Sequence, residues 1–415
     1  MSEKNLRLSF EGAFARLTLE RRPRRKKEER RAWDAADQLL LQEVHLRANE
    51  SSTLLRTPLI IGDHFGALTL SLLSSADCEA ITLISDSAVS WRAIEENAKR
   101  NGLASALQAR VTRLGSRLSW PEAPSIILVR APKSQGQLRF LLSVISTIIT
   151  AQHPKPLPPI LLGAMRSRLS PSLIQDCRRL LGEPVPTPTV KRARVLAIDA
   201  SGEAKSEVQR KPPRRFTYTL GEAAPLLSRG LILSAGPAVF SPTRLDLGAR
   251  FLLDHLPEII SPLEAASTPR VLDLGCGGGV LGLSVAKALP RAHVSFIDEN
   301  AQAIESVHES WAKNMLGVER RYRALWCDGI PPEEHDVYDL ILLNPPFHQG
   351  RAVDESLPLQ LFKESARALK PSGVLWVVYN RHLPHQRALT RLFQIVERRY
   401  SGPKFLLVSA AHSRE

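Results

Sequence analysis

Cysteine is scarce: Cys78, Cys177, Cys276 and Cys327 are the only four in 415 residues, and no two form a Cys-x-x-Cys pair. That excludes a disulfide framework and a thiolate zinc site, and predicts free thiols in a reducing cytoplasm. The eleven histidines show no metal-ligand spacing, so no metal is expected. No uninterrupted apolar run approaches the ~20 residues of a membrane helix. The first residues lack the charged-then-apolar pattern of a secretory signal. No membrane partner is expected. What is present suffices for two cores: 43% of residues are hydrophobic, and the length predicts two domains of roughly 200 residues.

The stretch Asn344-Pro345-Pro346-Phe347 follows the apolar run Leu340-Ile341-Leu342-Leu343. That run reads as a buried parallel strand. The Asn344 side-chain oxygen and the Pro345 carbonyl can each accept a hydrogen bond. The two prolines stiffen the backbone that carries them, and Phe347 offers a ring for a flat substrate. The combination suits methyl transfer to an exocyclic NH2 group. The plainer reading is a Pro-Pro turn closing a strand, with Phe347 in the core. His348 next to it reads as a surface residue.

Upstream, Val271 to Leu274 reads as a strand, Gly275-Cys276-Gly277-Gly278-Gly279 as a turn, and Val280 as a helix start. Glycines permit positive φ and close approach of a ligand, and the helix N-terminus offers free N–H groups. A dinucleotide enzyme would seat a pyrophosphate there. Asp273 disfavours an anion and suits a cationic ligand carrying an ammonium, such as S-adenosylmethionine. The strand His293–Ile297 ends in Asp298 and Glu299, where a carboxylate can accept ribose hydroxyls. The same acids could instead cap a helix starting near Ala301. Leu325-Trp326-Cys327-Asp328 reads as a third strand end, with Asp328 on the adenine amine or on a surface turn. Helices are expected over Gly279–Leu289, Ala301–Met315 and Leu359–Leu369, and further strands at Gly373–Val378 and Phe405–Val408. The order is that of a doubly wound α/β domain, with its ligand across the carboxyl ends of the strands.

The pattern occurs twice. Pro58–Ala67 parallels Arg270–Val280, Ile81–Asp86 parallels the strand ending at Asp298, and Ser125–Pro132 parallels the strand ending in the tetrapeptide. Gly62 to Gly275 is an offset of 213, Asp86 to Asp298 of 212, and Pro132 to Pro346 of 214. The chain therefore reads as two tandem Rossmann-like α/β domains, an internal duplication: residues 1–200, a linker over 201–215, and 216–415. Only the second copy keeps its chemistry. Ile60 replaces Asp273, Asp63-His64-Phe65 replaces Cys276-Gly277-Gly278, Arg130-Ala131 replaces Asn344-Pro345, and Lys133 replaces Phe347. A donor-only Arg cannot accept from an amine. Segments Pro154–Pro159 and Pro184–Pro188 read as loops of the first copy.

Charge separates the halves. Residues 1–215 carry 35 Lys and Arg against 21 Asp and Glu, whereas residues 216–415 carry 21 of each. The positive excess includes Arg21, Arg22, Arg24, Arg25, Lys26, Lys27, Arg30 and Arg31, then Lys191, Arg192 and Arg194, and finally Lys211, Arg214 and Arg215. Localised basic charge is the footprint of polyanion binding. The degenerate copy is expected to bind RNA through it, with a solvated face as the plainer reading. Acidic lipids are a weaker candidate, since no amphipathic anchor or lipidation motif is evident.

Ala32-Trp33-Asp34-Ala35-Ala36-Asp37, Asp63 to Leu68, Ala131-Pro132-Lys133, Val239-Phe240-Ser241, Leu245 to Phe251, Asn344 to Gln349 and Asn380-Arg381-His382-Leu383 resemble the bacterial 23S ribosomal RNA guanine-N2 methyltransferases of the RlmG type. The tandem plan is shared with the small-subunit sister family, the RsmC type. The resemblance implies two tandem Rossmann-like methyltransferase domains with the second catalytic, and S-adenosylmethionine as cofactor. It also implies methylation of one guanine amine in protein-free large-subunit RNA, at the position numbered 1835. On it, Asn344, Pro345, Pro346 and Phe347 are the catalytic candidates. Asp273, Gly275, Cys276, Gly277, Gly279, Asp298, Glu299, Asp328 and Asn344 are the cofactor candidates. Phe240 and Asp246 resemble an element closing over the cofactor, or serve helix packing. Gly278 departs from the family's usual Asn, and the run from Arg21 to Arg31 is denser than expected of it. A 16S RNA methyltransferase of the sister type, a protein-glutamine methyltransferase, a DNA amino-methyltransferase and a non-enzymatic RNA scaffold are the other readings.

Overall fold

A computed structural model describes residues 8–23, 29–115, 124–132, 134–152, 157–198, 215–315, 317, 321–345 and 356–412. The chain divides into two compact units, Met1–Arg214 and Arg215–Glu415. Of the expected linker over 201–215, residues 201–214 lie outside the described residues. Arg215 belongs to the second unit, where it pairs with Glu309 at 2.9 Å and Glu305 at 3.3 Å.

The first unit opens with a hairpin, β1 (Ser9–Glu11) and β2 (Arg16–Thr18). Its sheet comprises β3 (Leu59–Ile61), β4 (Ile81–Ile84), β5 (Val111–Leu114), β6 (Ile127–Arg130), β7 (Ile160–Met165), β8 (Pro184–Pro186) and β9 (Ala193–Ile198), in the order β5-β4-β3-β6-β7-β9-β8. The second unit begins with the hairpin β10 (Phe216–Thr219) and β11 (Ile232–Ala235). Its sheet holds β12 (Arg270–Leu274), β13 (His293–Asp298), β14 (Tyr322–Trp326), β15 (Tyr338–Leu343), β16 (Leu369–Asn380), β17 (Ile395–Ser401) and β18 (Phe405–Ala411), ordered β14-β13-β12-β15-β16-β18-β17. Adding nine to each strand of the first sheet gives the second. In both, the first five strands are parallel and the last two pairings antiparallel. This is the tandem α/β duplication expected from the constant offset.

The apolar strands form where both faces are covered. In β15, Leu340 and Leu342 enter one core layer while Ile341 and Leu343 enter the other, the alternation a central strand requires; Tyr338, before the register shift in the pairing with β16, joins the second layer. The helices Val280–Ala288, Ala301–Asn314 and Ser356–Ala368 fall where periodicity puts them. The last starts ahead of Leu359, with Pro358 in its first turn, where no intrahelical N–H is lost. Pro184–Pro186 is an edge strand rather than a loop; an edge tolerates prolines because one side needs no ladder donors. The segment from Gly373 is the second half of a strand that already starts at Leu369. Among the described residues no helix is long and apolar enough to cross a membrane.

Candidate active site

Asn344 follows β15 directly and is half-buried. Its Nδ2 donates to Asp246 Oδ2 at 3.0 Å. A carboxylate only accepts, so the NH2 end of the amide must face it. Asp246 is itself fixed as the N-cap of the helix Leu247–Asp254, its Oδ2 accepting from Gly248 N at 2.9 Å and Ala249 N at 3.0 Å. The amide is therefore oriented, and Asn344 Oδ1 is left buried without a hydrogen-bond partner among the described residues. A Cβ at position 248 would stand 2.8 Å from that oxygen, so only glycine there leaves it room. A buried acceptor without a partner calls for an explanation, and an incoming N–H donor supplies one. Pro345 is buried beside it. Pro346 and Phe347 lie outside the described residues.

The Gly-rich turn adjoins on the neighbouring strand, since β12 pairs with β15. Gly275 N and Cys276 N both donate to Ile297 O, at 2.8 and 3.1 Å, so the turn is braced on β13. Gly275, Gly277 and Gly279 all have positive φ, of 68°, 52° and 81°. A Cβ on Gly275 or Gly277 would meet nothing within 4 Å, so the surface above the turn is open. An open, glycine-lined turn at a helix N-terminus fits a bulky cofactor. Cys276 is buried, its thiol pushed well up by burial, and serves packing.

Asp273 sits beneath the turn, 1% exposed, its Oδ2 accepting from Gly282 N at 2.8 Å. Burial pushes its carboxyl up to about 8; the Gly282 bond opposes this and Asp298 adds to it. A raised carboxyl contributes stability that is full below its unfolded value of 3.8 and is lost as pH climbs through the folded value. Asp273→Asn keeps an oxygen for Gly282 N and cannot ionise. Between about pH 4 and pH 8 its urea midpoint is expected to fall less steeply than the wild type's. Parallel profiles would contradict the assignment.

Asp298 accepts from Gly277 N and Asn300 N, both at 2.8 Å. Burial raises its carboxyl, with those bonds opposing. It thus ties the glycine turn to the start of helix Ala301–Asn314, while Asn300 provides the N-cap. Glu299 is exposed, and its carbonyl accepts from Trp326 Nε1 at 2.9 Å. Asp328 is half-buried past the end of β14. Phe240 is 71% exposed, on a segment held to the same helix start: Ala238 N donates to Gln302 Oε1 and Asn300 Nδ2 to Ala238 O, both at 3.2 Å. This ties the segment just before Phe240 to the helix start after Asp298, whereas Asp246 holds Asn344. Asn300, Gln302 and Gly248 were missed by sequence reasoning. An Asn two residues past a strand-end acid was the available signal for the first; nothing local marked the others.

The first unit keeps this scaffold and closes it. Asp34, 212 residues before Asp246, likewise caps a helix, Ala35–Ala48, and pairs with Arg130, the last residue of β6. Arg130 Nε also meets Asp37 at 2.9 Å, and its Nη1 reaches Gly163 O at 3.4 Å. The guanidinium fills the place where Asn344 leaves an acceptor. The acid missing at Ile60 is displaced, not lost. Asp63 is 2% exposed and accepts from Gly66 N, Leu68 N and Thr69 N at 2.9, 3.1 and 2.7 Å. It turns inward onto the helix N-terminus instead of projecting into the old pocket. A Cβ on Gly62 would stand 2.6 Å from Arg130 O, so this turn lacks the open face of the second copy.

Of the basic candidates, Arg22 pairs with Glu96 at 2.7 Å and Arg21 lies over the Phe65 ring at 4.7 Å. Lys191 and Arg192 are exposed on a turn, and Arg194 donates to Thr189 Oγ1 at 3.0 Å. Arg24, Arg25, Lys26 and Lys27 lie outside the described residues.

Residues 230–409 match the family model described as methyltransferase small domain, and residues 7–202 match that described as RLMG N-terminal domain. The chain is 34% identical over 408 residues to a ribosomal RNA large subunit methyltransferase G of Ectopseudomonas mendocina, covering 97% of this chain and 99% of that one. A protein of the same name from Shewanella pealeana is 32% identical over 399 residues, covering 95% and 89%. Among solved structures, the Thermus thermophilus 16S rRNA N2 G1207 methyltransferase, in complex with AdoMet and guanosine, aligns over the whole of both chains. Its TM-score is 0.70 at 20% identity, a likeness of fold.

Proposed function

The chain belongs to the ribosomal RNA large subunit methyltransferase G family, and from that premise we propose that it methylates the exocyclic amine of a guanine in 23S rRNA. The observation that carries the reading is the unpartnered Asn344 Oδ1, oriented by Asp246 and spared by Gly248. S-adenosylmethionine, which the turn at Gly275 and Gly277 would hold, would supply an activated methyl group, leaving as the neutral thioether while the extra amine proton passes to solvent. The guanine amine is a weak nucleophile because its lone pair is delocalised into the ring. Asn344 Oδ1 accepts one amine N–H and the Pro345 carbonyl the other. Both hold the nitrogen in line with the donor and stabilise positive charge as it develops there. Phe347 stacks on the base. Asp298 and Glu299 serve the ribose, Asp328 the adenine, and Phe240 covers the cofactor. Asp246 is a positioning residue acting through the amide. A base paired in a helix must be flipped out, costing a few kcal/mol.

The substrate is protein-free RNA in the cytoplasm, and the target is the guanine numbered 1835. The first unit anchors flanking phosphates, a role its basic excess supports. The test is transfer of tritiated methyl from the cofactor to large-subunit RNA, small-subunit RNA, DNA or protein. Label is expected in large-subunit RNA, recovered as N2-methylguanosine. Label in small-subunit RNA would move the assignment to the sister family, and label on glutamine would move it to a protein substrate. No label in any of them would reject the activity.

A further inference from the structure

We propose that Arg381, Arg387 and Arg398, with the Tyr379 hydroxyl, form a second binding site on the catalytic unit that takes a backbone phosphate of the RNA. The site rests on the RNA reading above.

Arg381 follows β16, Arg387 lies on the short helix His385–Leu389, and Arg398 comes from β17, which the antiparallel β18 brings alongside. With Gln386 and Thr390 they line a cleft of about 370 Å³ that has no acidic residue in its wall. The sequence average hides this. The second half is neutral, yet residues 381–399 hold five arginines and one acid, Glu397, which pairs with Arg399 outside the cleft.

Tyr379 is fully buried, lines the cleft, and its hydroxyl has no hydrogen-bond partner among the described residues. Burial pushes the phenol up and the positive charge of Arg398 opposes this; both residues line the cleft. His385 packs edge-on against the Tyr379 ring at 5.2 Å, and burial pulls it down to about 4, so it is neutral. Arg398 Nε donates to Gln386 Oε1 at 2.7 Å and Arg381 Nη1 to Gly402 O at 3.2 Å. These bonds orient two guanidinium groups and leave N–H groups over. The Arg387 carbonyl accepts from Thr390 Oγ1 at 3.2 Å, and its guanidinium has no partner among the described residues. A convergent set of charged donors plus one unused hydroxyl matches a phosphate.

Its position suits a flanking nucleotide. β15 and β16 are parallel neighbours, with Leu343 opposite Val377. Asn344 and Tyr379 therefore both lie at the carboxyl end of the sheet. Leu343, Val377 and Tyr379 share one core layer, so Asn344 faces the other. A single strand whose target base enters on one face can pass its backbone over this edge to the other.

The test uses the full chain and protein-free large-subunit rRNA. Arg387→Ala is expected to raise KM for RNA about tenfold, with kcat changed less than about threefold. The slope of log affinity against log salt becomes shallower by about 0.7–0.9, the share of one phosphate. Tyr379→Phe is expected to raise both KM and Tm, because the unpaired hydroxyl serves only the ligand; a purely structural hydroxyl would leave KM unmoved. Arg391→Ala, exposed nearby and outside the cleft wall, is the control expected to change neither. Unchanged KM and salt slope in Arg387→Ala would overturn the site, as would loss of anionic-vesicle binding with RNA binding intact. Anisotropy of labelled RNA without cofactor repeats the comparison independently of turnover. An inactive wild type with an Arg387-dependent affinity would sink the activity and keep the site, and the reverse pattern would do the opposite.

Discussion

Asn344→Ala is expected to lower turnover on saturating RNA by roughly 10²–10³-fold, the loss typical of removing one preorganised charge-stabilising group. Cofactor affinity is expected to stay within about twofold, so the defect lies in the chemical step. The prediction follows from the orientation of one amide. Asp246 can only accept, which forces Nδ2 toward it and Oδ1 away. Asn344→Asp is expected to do no better than alanine. It keeps the acceptors but sets a carboxylate against Asp246, turning an attraction into a repulsion. Gly248→Ala attacks the same oxygen from the other side, because the added methyl would stand 2.8 Å from it. Single-turnover rates on rRNA check all three. Near wild-type rates for Asn344→Ala would discard the amine clamp.

Arg130→Ala is expected to destabilise the first unit by about 3–5 kcal/mol, because removing one partner strands a buried charge. Arg130 has a side chain 7% exposed, between Asp34 and Asp37. Burial pushes Asp37 up to about 6 even with Arg130 opposing, so at neutral pH it is ionised and depends on that guanidinium. Arg130→Lys retains the charge but not the fork that reaches both acids, and is expected to fall between. Urea unfolding followed by amide hydrogen exchange of the strand Ile127–Arg130 and the helix Ala35–Ala48 reads the first unit, and a loss below about 1 kcal/mol would contradict the buried network.

The duplication was legible because parallel strands buried on both faces leave unmistakable apolar runs, and three landmarks held one spacing. Asn344 was legible too, since a strand end followed by Asn-Pro-Pro is local. What supports it was not. The partner of Asn344 lies 98 residues upstream, and Asp246 shows in sequence only as a helix cap. That Asp63 takes over the bonds of the acid missing at Ile60 was not legible, because alignment registers positions, whereas the helix N-terminus registers any carboxylate that can reach it. Pro184–Pro186 was misread because whether proline fits a strand depends on whether that strand is at an edge, a tertiary fact. The arginine cleft is assembled by antiparallel pairing of β16, β18 and β17, which net charge cannot reveal.

The most direct measurement of the central claim is the distance from the guanine amine to Asn344 Oδ1. It would be read from a crystal of the full chain with guanosine and the demethylated cofactor. A separation of about 2.7–3.2 Å is predicted. Guanosine seated elsewhere, or an amine beyond about 3.6 Å with that oxygen still unpaired, would contradict it.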